Sequence, residues 1–268
     1  MADWQYKLSG QVGSIYYDDP NPRGVDLVFM LHGLGVDSRS WYFQAAALQA
    51  AGYRPVVIDI PGYGRSSWPG KQWNFEQVAR VLHEFIMSFP AGKRFILGIS
   101  LGGAFALRLM AMDPAGYQGG LLINTFSKLR PHGFTNTFFL LTRLVKVSLL
   151  PMREQATYMA SRLFPNEKDS LFKQMVIEQI TATDRKVYLQ TLAQIARLNL
   201  GPLLGEISVP CLLITGSDDS TILPAAQTKL AKSLPDCEQV FVPGAGHAVI
   251  VQQPDAVNAA ILDFIKTH

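Results

Sequence analysis

Short apolar runs alternate with stretches of helical periodicity through the first 125 residues of the chain. VDLVFMLH (25–32) is an apolar run that stops at Gly33, so it predicts a buried strand. WYFQAAALQAAG (41–52) is alanine-rich and ends on a glycine, the usual stop signal of a helix. RPVVIDIPG (54–62) is a β-branched run closed by Pro61-Gly62 and predicts a second strand. NFEQVARVLHEFIMSF (74–89) carries apolar residues at helical spacing behind Asn74, a candidate N-cap, and Pro90 closes it. A strand over KRFILGI (93–99), a helix from Leu101 to about Met112 and a strand over GGLLIN (119–124) complete the series. Strands that alternate with helices predict a mostly parallel sheet covered on both faces.

The alternation breaks near residue 126. From Phe126 to about Gly205 the pattern is helical, with stretches at 134–150, 152–164 and 167–180 and another from about Thr183. Strand-like PCLLITG (210–216), helical PAAQTKLAKSL (224–234), strand-like EQVFVPG (238–244) and helical PDAVNAAILDFIKT (254–267) then resume it. This predicts a core of residues 1–125 and 209–268 with a helical cap, 126–208, inserted between two strands.

Composition narrows the function classes. Hydrophobic residues make up 48% of the 268 and charged residues only 17%, which describes a packed globular chain. The formal charge is +3 and the basic residues are scattered, so no nucleic-acid partner is expected. The first residues, MADWQYKLSGQVG, lack a signal-peptide pattern, and no apolar run reaches membrane-spanning length. A cytoplasmic protein without a transmembrane segment is the expectation. Cys211 and Cys237 have neither redox-motif nor zinc-knuckle spacing and read as thiols in two strands.

The chemistry gathers around FILGISLGGAFAL (95–107). Gly98-Ile99-Ser100-Leu101-Gly102 has the G-x-S-x-G pattern, placed between a predicted strand and a predicted helix. A serine on so tight a turn sits in a strained backbone, and side chains two residues away on either side would clash. Serine alone is a poor nucleophile and needs a base. Of the five histidines, His83 falls within a helix, His132 in the cap, His268 at the end, and His32 directly after a strand. His247, in a loop between the last strand and the last helix, best meets the need to emerge at the edge that presents Ser100. The acid that orients the imidazole should follow the strand at 210–216, where Asp218 and Asp219 both stand. Asp219 is the first choice and Asp218 the alternative. The backbone N–H groups of Leu101 and of Leu34, in His32-Gly33-Leu34-Gly35, are placed to form an oxyanion hole.

These segments together resemble the α/β-hydrolase superfamily, and within it the cap-bearing esterase and lactonase branch. LHGLG (31–35), DIPGYGRSS (59–67), GISLGG (98–103), TGSDDSTILP (215–224) and GAGHAVIVQQPDAVNAAILDF (244–264) carry the likeness, which covers nearly the whole core. The resemblance implies an α/β-hydrolase fold with an inserted helical cap, and a Ser100–Asp219–His247 triad. It also implies a serine hydrolase acting on hydrophobic carboxylic esters. Lactone, thioester or C–C bond hydrolysis and perhydrolysis use the same machinery, and a non-enzymatic ligand-binding member of the fold is a further alternative. Haloalkane dehalogenases and epoxide hydrolases of this fold carry aspartate where this chain has Ser100. No metal and no organic cofactor are expected. Trp41, Phe126 and Phe138 are the candidate pocket residues, and Phe134, Phe139, Phe164 and Phe172 add to the aromatic character of the cap. Oligomeric state is not read from the sequence.

Overall fold

The sheet begins before the first apolar run, where Ala2–Leu8 (β1) and Gln11–Asp18 (β2) form an antiparallel hairpin. Its two-residue turn, Ser9-Gly10, has φ of 51° and 81°, the left-handed geometry that suits the strand twist. The alternating region then supplies Leu27–Leu31 (β3), Arg54–Ile58 (β4), Arg94–Ile99 (β5) and Gly119–Ile123 (β6). Cys211–Gly216 (β7) and Cys237–Val242 (β8) follow the helical region. The computed structural model from which these elements are taken describes residues 2–90, 92–129, 150–165 and 169–268. Residues 134–149 of the helix predicted over 134–150, with Phe134, Phe138 and Phe139, and also His132, lie outside the described residues.

The eight strands form one sheet in the order β1-β2-β4-β3-β5-β6-β7-β8. All pairs from β4 to β8 are parallel. Their C-terminal ends therefore make one common edge. Between the strands lie Tyr42–Ala50 (α1), after a short 3-10 turn at Ser38–Trp41, Phe75–Met87 (α2) and Leu101–Met112 (α3). Met152–Leu163 (α4), Ser170–Ala182 (α5) and Arg185–Arg197 (α6) follow β6. Pro224–Ala231 (α7), the single turn Val249–Gln252 (α8) and Pro254–Thr267 (α9) complete the chain. Asn74 caps α2, its side chain accepting from the Gln77 N–H at 3.0 Å.

Period-2 alternation sorts the strand residues onto two cores. Phe29, Leu31, Val56, Ile58, Ile96 and Leu122 pack against α2 and α3 on one face. Val28, Met30, Val57, Phe95, Leu97 and Leu121 pack against α1 and α9 on the other. Each such buried side chain contributes about 1.5–3 kcal/mol by its removal from water. Because both faces are covered, β3 to β7 are continuous apolar runs. Cys211 and Cys237 are register partners on β7 and β8 and are not bonded to each other. Burial pushes both thiols up, Cys237 to about 12, so neither is a thiolate near neutrality.

The chain makes a single crossover from β6 to its parallel neighbour β7, and α4, α5 and α6 lie within it. A third apolar cluster ties these helices together through Ala156, Met159, Ile180, Tyr188 and Leu192, with Leu34 packed against it. Hydrogen bonds then join the helices to the sheet region. The Tyr63 hydroxyl donates to Thr191 Oγ1 at 2.6 Å, and the Trp73 N–H donates to Gln190 Oε1 at 2.7 Å. Gln179 Nε2 donates to Asp37 Oδ1 at 3.1 Å.

Candidate active site

Strand β5 ends at Ile99 and α3 begins at Leu101, so Ser100 alone turns the chain. Its φ of 54° and ψ of −114° place a non-glycine residue in a region that costs about 1–3 kcal/mol. Neighbouring groups hold it there. The Ser100 N–H donates to the Ile123 carbonyl at 2.9 Å, and Thr125 Oγ1 donates to the Ser100 carbonyl at 2.6 Å. The flanking glycines are required by contact. A Cβ on Gly98 would overlap the Gly102 backbone, and one on Gly102 would overlap the Leu31 carbonyl. Gly102→Ala should therefore cost about 1–3 kcal/mol, as overpacking does, and lower the urea unfolding midpoint. A midpoint equal to that of the unsubstituted protein would contradict this contact.

The loop after β3 approaches the same turn. A Cβ built on Gly33 would lie 3.7 Å from the Ser100 Cβ, and Leu34 and Leu101 line a cavity together with Ser100. Leu101 is the first residue of α3, where a backbone N–H has no acceptor within its own helix. His32 belongs to the scaffold of this loop. It is fully buried, its Nδ1 donates to the Gly33 carbonyl at 2.8 Å, and its Nε2 accepts from the Ile60 N–H at 2.9 Å. Burial lowers its pKa and keeps the ring neutral, the form that can accept as well as donate.

His247 and Asp219 meet from two loops. His247 Nδ1 lies 2.8 Å from Asp219 Oδ2, with the carboxylate inaccessible to solvent and the imidazole nearly so. The other carboxylate oxygen, Oδ1, accepts from the N–H groups of Thr221 and Ile222 at 2.8 and 2.9 Å. With Oδ2 engaged, Nδ1 carries the proton and Nε2 is left as the basic nitrogen. Asp218 is exposed, and its N–H donates to the Ala245 carbonyl. Of the two adjacent aspartates, the buried Asp219 meets the His247 ring and Asp218 does not.

Asn124 follows directly on β6 and carries no charge. In the fold it is fully buried, with φ of 43°. Its Nδ2 donates to the carbonyls of Gly246 and His247, each at 3.0 Å, while Oδ1 accepts from the Gly216 N–H at 2.8 Å. One amide thus joins the loop that bears Asp219 to the loop that bears His247. Gln252 makes a further link. Its Oε1 accepts from the Gly246 N–H at 2.8 Å, and its Nε2 donates to the Leu163 carbonyl of α4 at 3.2 Å.

Ser100 and His247 open onto one cavity of about 400 Å³ between the strand ends and the helices that follow β6. Phe126, Met159, Phe164, Phe172 and Ile180 are among its walls. Trp41 is not, which corrects the expectation. It is fully buried in the core beneath α1, because successive residues of the 3-10 turn face different ways. Its neighbours Tyr42 and Phe43 reach the cavity instead. Phe138 lies outside the described residues. Among the described residues, no cluster of three or more His, Cys, Asp or Glu could hold a metal ion, and no helix is long and apolar enough to cross a membrane.

A sequence model of the alpha/beta hydrolase family matches residues 28–260. The chain belongs to that family. Within it, the chain is 28% identical over 271 residues to a 2-hydroxy-6-oxononadienedioate/2-hydroxy-6-oxononatrienedioate hydrolase from Dechloromonas aromatica. That alignment covers 95% of this chain and 91% of the relative. The enol-lactonase from Burkholderia xenovorans superposes with a TM-score of 0.87 at 23% identity, over 98% of this chain and 99% of that one. An esterase from Exiguobacterium antarcticum does so with a TM-score of 0.87 at 18% identity, over 95% and 96%. At such identities the structural matches establish the α/β-hydrolase fold, and the family assignment establishes a hydrolase.

Proposed function

We propose that this hydrolase cleaves carboxylic esters of small to medium hydrophobic acyl or aromatic substrates through an acyl-enzyme on Ser100. The observation that carries the reading is a strained serine and an imidazole, backed by a buried carboxylate, that face one apolar cavity. In this reading Ser100 Oγ attacks the ester carbonyl carbon as His247 Nε2 takes its proton. Asp219 holds the ring and stabilises the imidazolium. The N–H groups of Leu34 and Leu101 receive the oxyanion, each contributing about 3 kcal/mol in the transition state. The alcohol leaves with the proton from His247, and water, activated by the same imidazole, then releases the acid and restores Ser100.

Residues 1–125 and 209–268 act as the catalytic core in this proposal, and 126–208 as the cap that selects the substrate. The apolar cavity walls favour an acyl group without charge. A second reading, hydrolysis of a lactone or of a C–C bond, draws on the enol-lactonase and the dienedioate hydrolase among the similar proteins. Both readings use the same nucleophile. A panel of p-nitrophenyl esters, lactones and vinylogous diketones, run beside fluorophosphonate labelling, tests them. The expected result is turnover of uncharged short- and medium-chain esters, with the phosphonate recovered on the peptide that contains Ser100. Labelling at another residue, or turnover confined to the diketones, would remove the ester reading.

A further inference from the structure

Behind the carboxylate of Asp219 lies a buried side-chain network that the proposed chemistry does not use. Gln227, on α7, is completely buried, as are Asn124 and Thr215. Gln227 Nε2 lies 2.8 Å from the Ile222 carbonyl, 3.2 Å from Asp219 Oδ2 and 3.3 Å from Asn124 Oδ1. The amide has two hydrogens for these three acceptors. One goes to Ile222, and the other is shared between Asp219 and Asn124.

The direction of this amide is fixed from behind. Gln239 Nε2 donates to Thr215 Oγ1 at 2.9 Å, so the Thr215 hydroxyl turns its own proton to Gln227 Oε1 at 3.0 Å. With Oε1 engaged there, the NH₂ end must face Asp219. The reversed amide would set oxygen against carboxylate oxygen in a site without water access, at a cost of several kcal/mol.

We infer that Gln227 is a positioning residue for the acid–base pair: its N–H holds the same Asp219 oxygen that accepts the hydrogen bond from His247. The inference rests on the serine-hydrolase reading. Two donors on Oδ2 and two on Oδ1 give the carboxylate a full set of partners, and a buried carboxylate so held keeps its orientation. Gln227 also draws negative charge from the oxygen facing the imidazole. Without it the carboxylate bears more strongly on the imidazolium. Asp219 is the titratable side chain bonded to the His247 ring among the described residues. Arg39 and Tyr188 line the same cavity, and Asp218 is exposed beside the acid loop.

The test is the pH dependence of kcat/KM for a p-nitrophenyl ester, with S100A run alongside. Q227M keeps the length and bulk of the side chain and removes the donor; T215V removes the hydroxyl that orients it. The acid limb of Q227M should move to higher pH. Its kcat should fall about tenfold, with KM within twofold. T215V should move the limb in the same direction by less. The downfield proton resonance of His247 Nδ1–H should shift in both. A wild-type acid limb in folded Q227M, or in folded T215V should Q227M not fold, overturns the inference. Ester turnover by S100A would instead remove the serine-hydrolase reading, so the two failures are distinguishable.

Discussion

Ser100→Ala should reduce ester turnover by about 10⁴–10⁶-fold and abolish fluorophosphonate labelling, while leaving the thermal midpoint unchanged or raised. The size of the effect follows from the site's construction. Only Ser100 presents a hydroxyl at the turn between β5 and α3, and no second serine stands there to replace it. The stability effect follows from the backbone. The φ of 54° at Ser100 is set by the turn and not by the side chain, so the substitution adds no strain. Steady-state assay and calorimetry on the same sample check both halves. Residual turnover within tenfold of the parent would mean that the nucleophile lies elsewhere.

Asp219→Asn should cost about 10⁴-fold in kcat, and Asp218→Asn should change it by less than about threefold. The asparagine would turn either an oxygen or an NH₂ group toward His247 Nδ1. The N–H groups of Thr221 and Ile222 occupy Oδ1, so that position retains the oxygen and the NH₂ faces the ring. Nδ1 would then have to accept, leaving the proton on Nε2, where a base is needed. Asp218 has no such contact and is exposed. Equal losses in the two variants, measured as kcat on one ester, would refute the assignment of the acid.

Five of the strands legible in the sequence, β3 to β7, are covered on both faces, and burial of all but the leading arginines of β4 and β5 leaves apolar runs with sharp ends. The sixth, β8, is largely exposed and is marked by its β-branched and aromatic residues before Pro243-Gly244. The β1–β2 hairpin is exposed on one side and carries polar residues and Gly13, so its alternation is diluted; Ser9-Gly10 was its signal. The candidate site was legible where it depends on chain order and on strand ends: Ser100, Leu34 and His247 come to line one cavity. What depends on the rotation of a helical turn was not legible. Trp41 and Tyr42 are adjacent and both aromatic, yet one packs in the core and the other reaches the cavity. Gln227 looks like an ordinary polar residue of an amphipathic helix until α7 is seen to turn it inward.

The single crossover that contains α4, α5 and α6 has a consequence for how such a protein diversifies. Strands β6 and β7 are joined to each other by backbone hydrogen bonds, with Gly120 opposite Cys211 and Ile123 opposite Ile214, and those bonds are indifferent to what lies between them in sequence. Substitution, lengthening or exchange of residues 126–208 can therefore proceed without slipping the register that sets Ser100 beside the loops of Asp219 and His247. On the proposed reading, the reacting groups and the inserted helices that help to choose their partner are thus heritable separately.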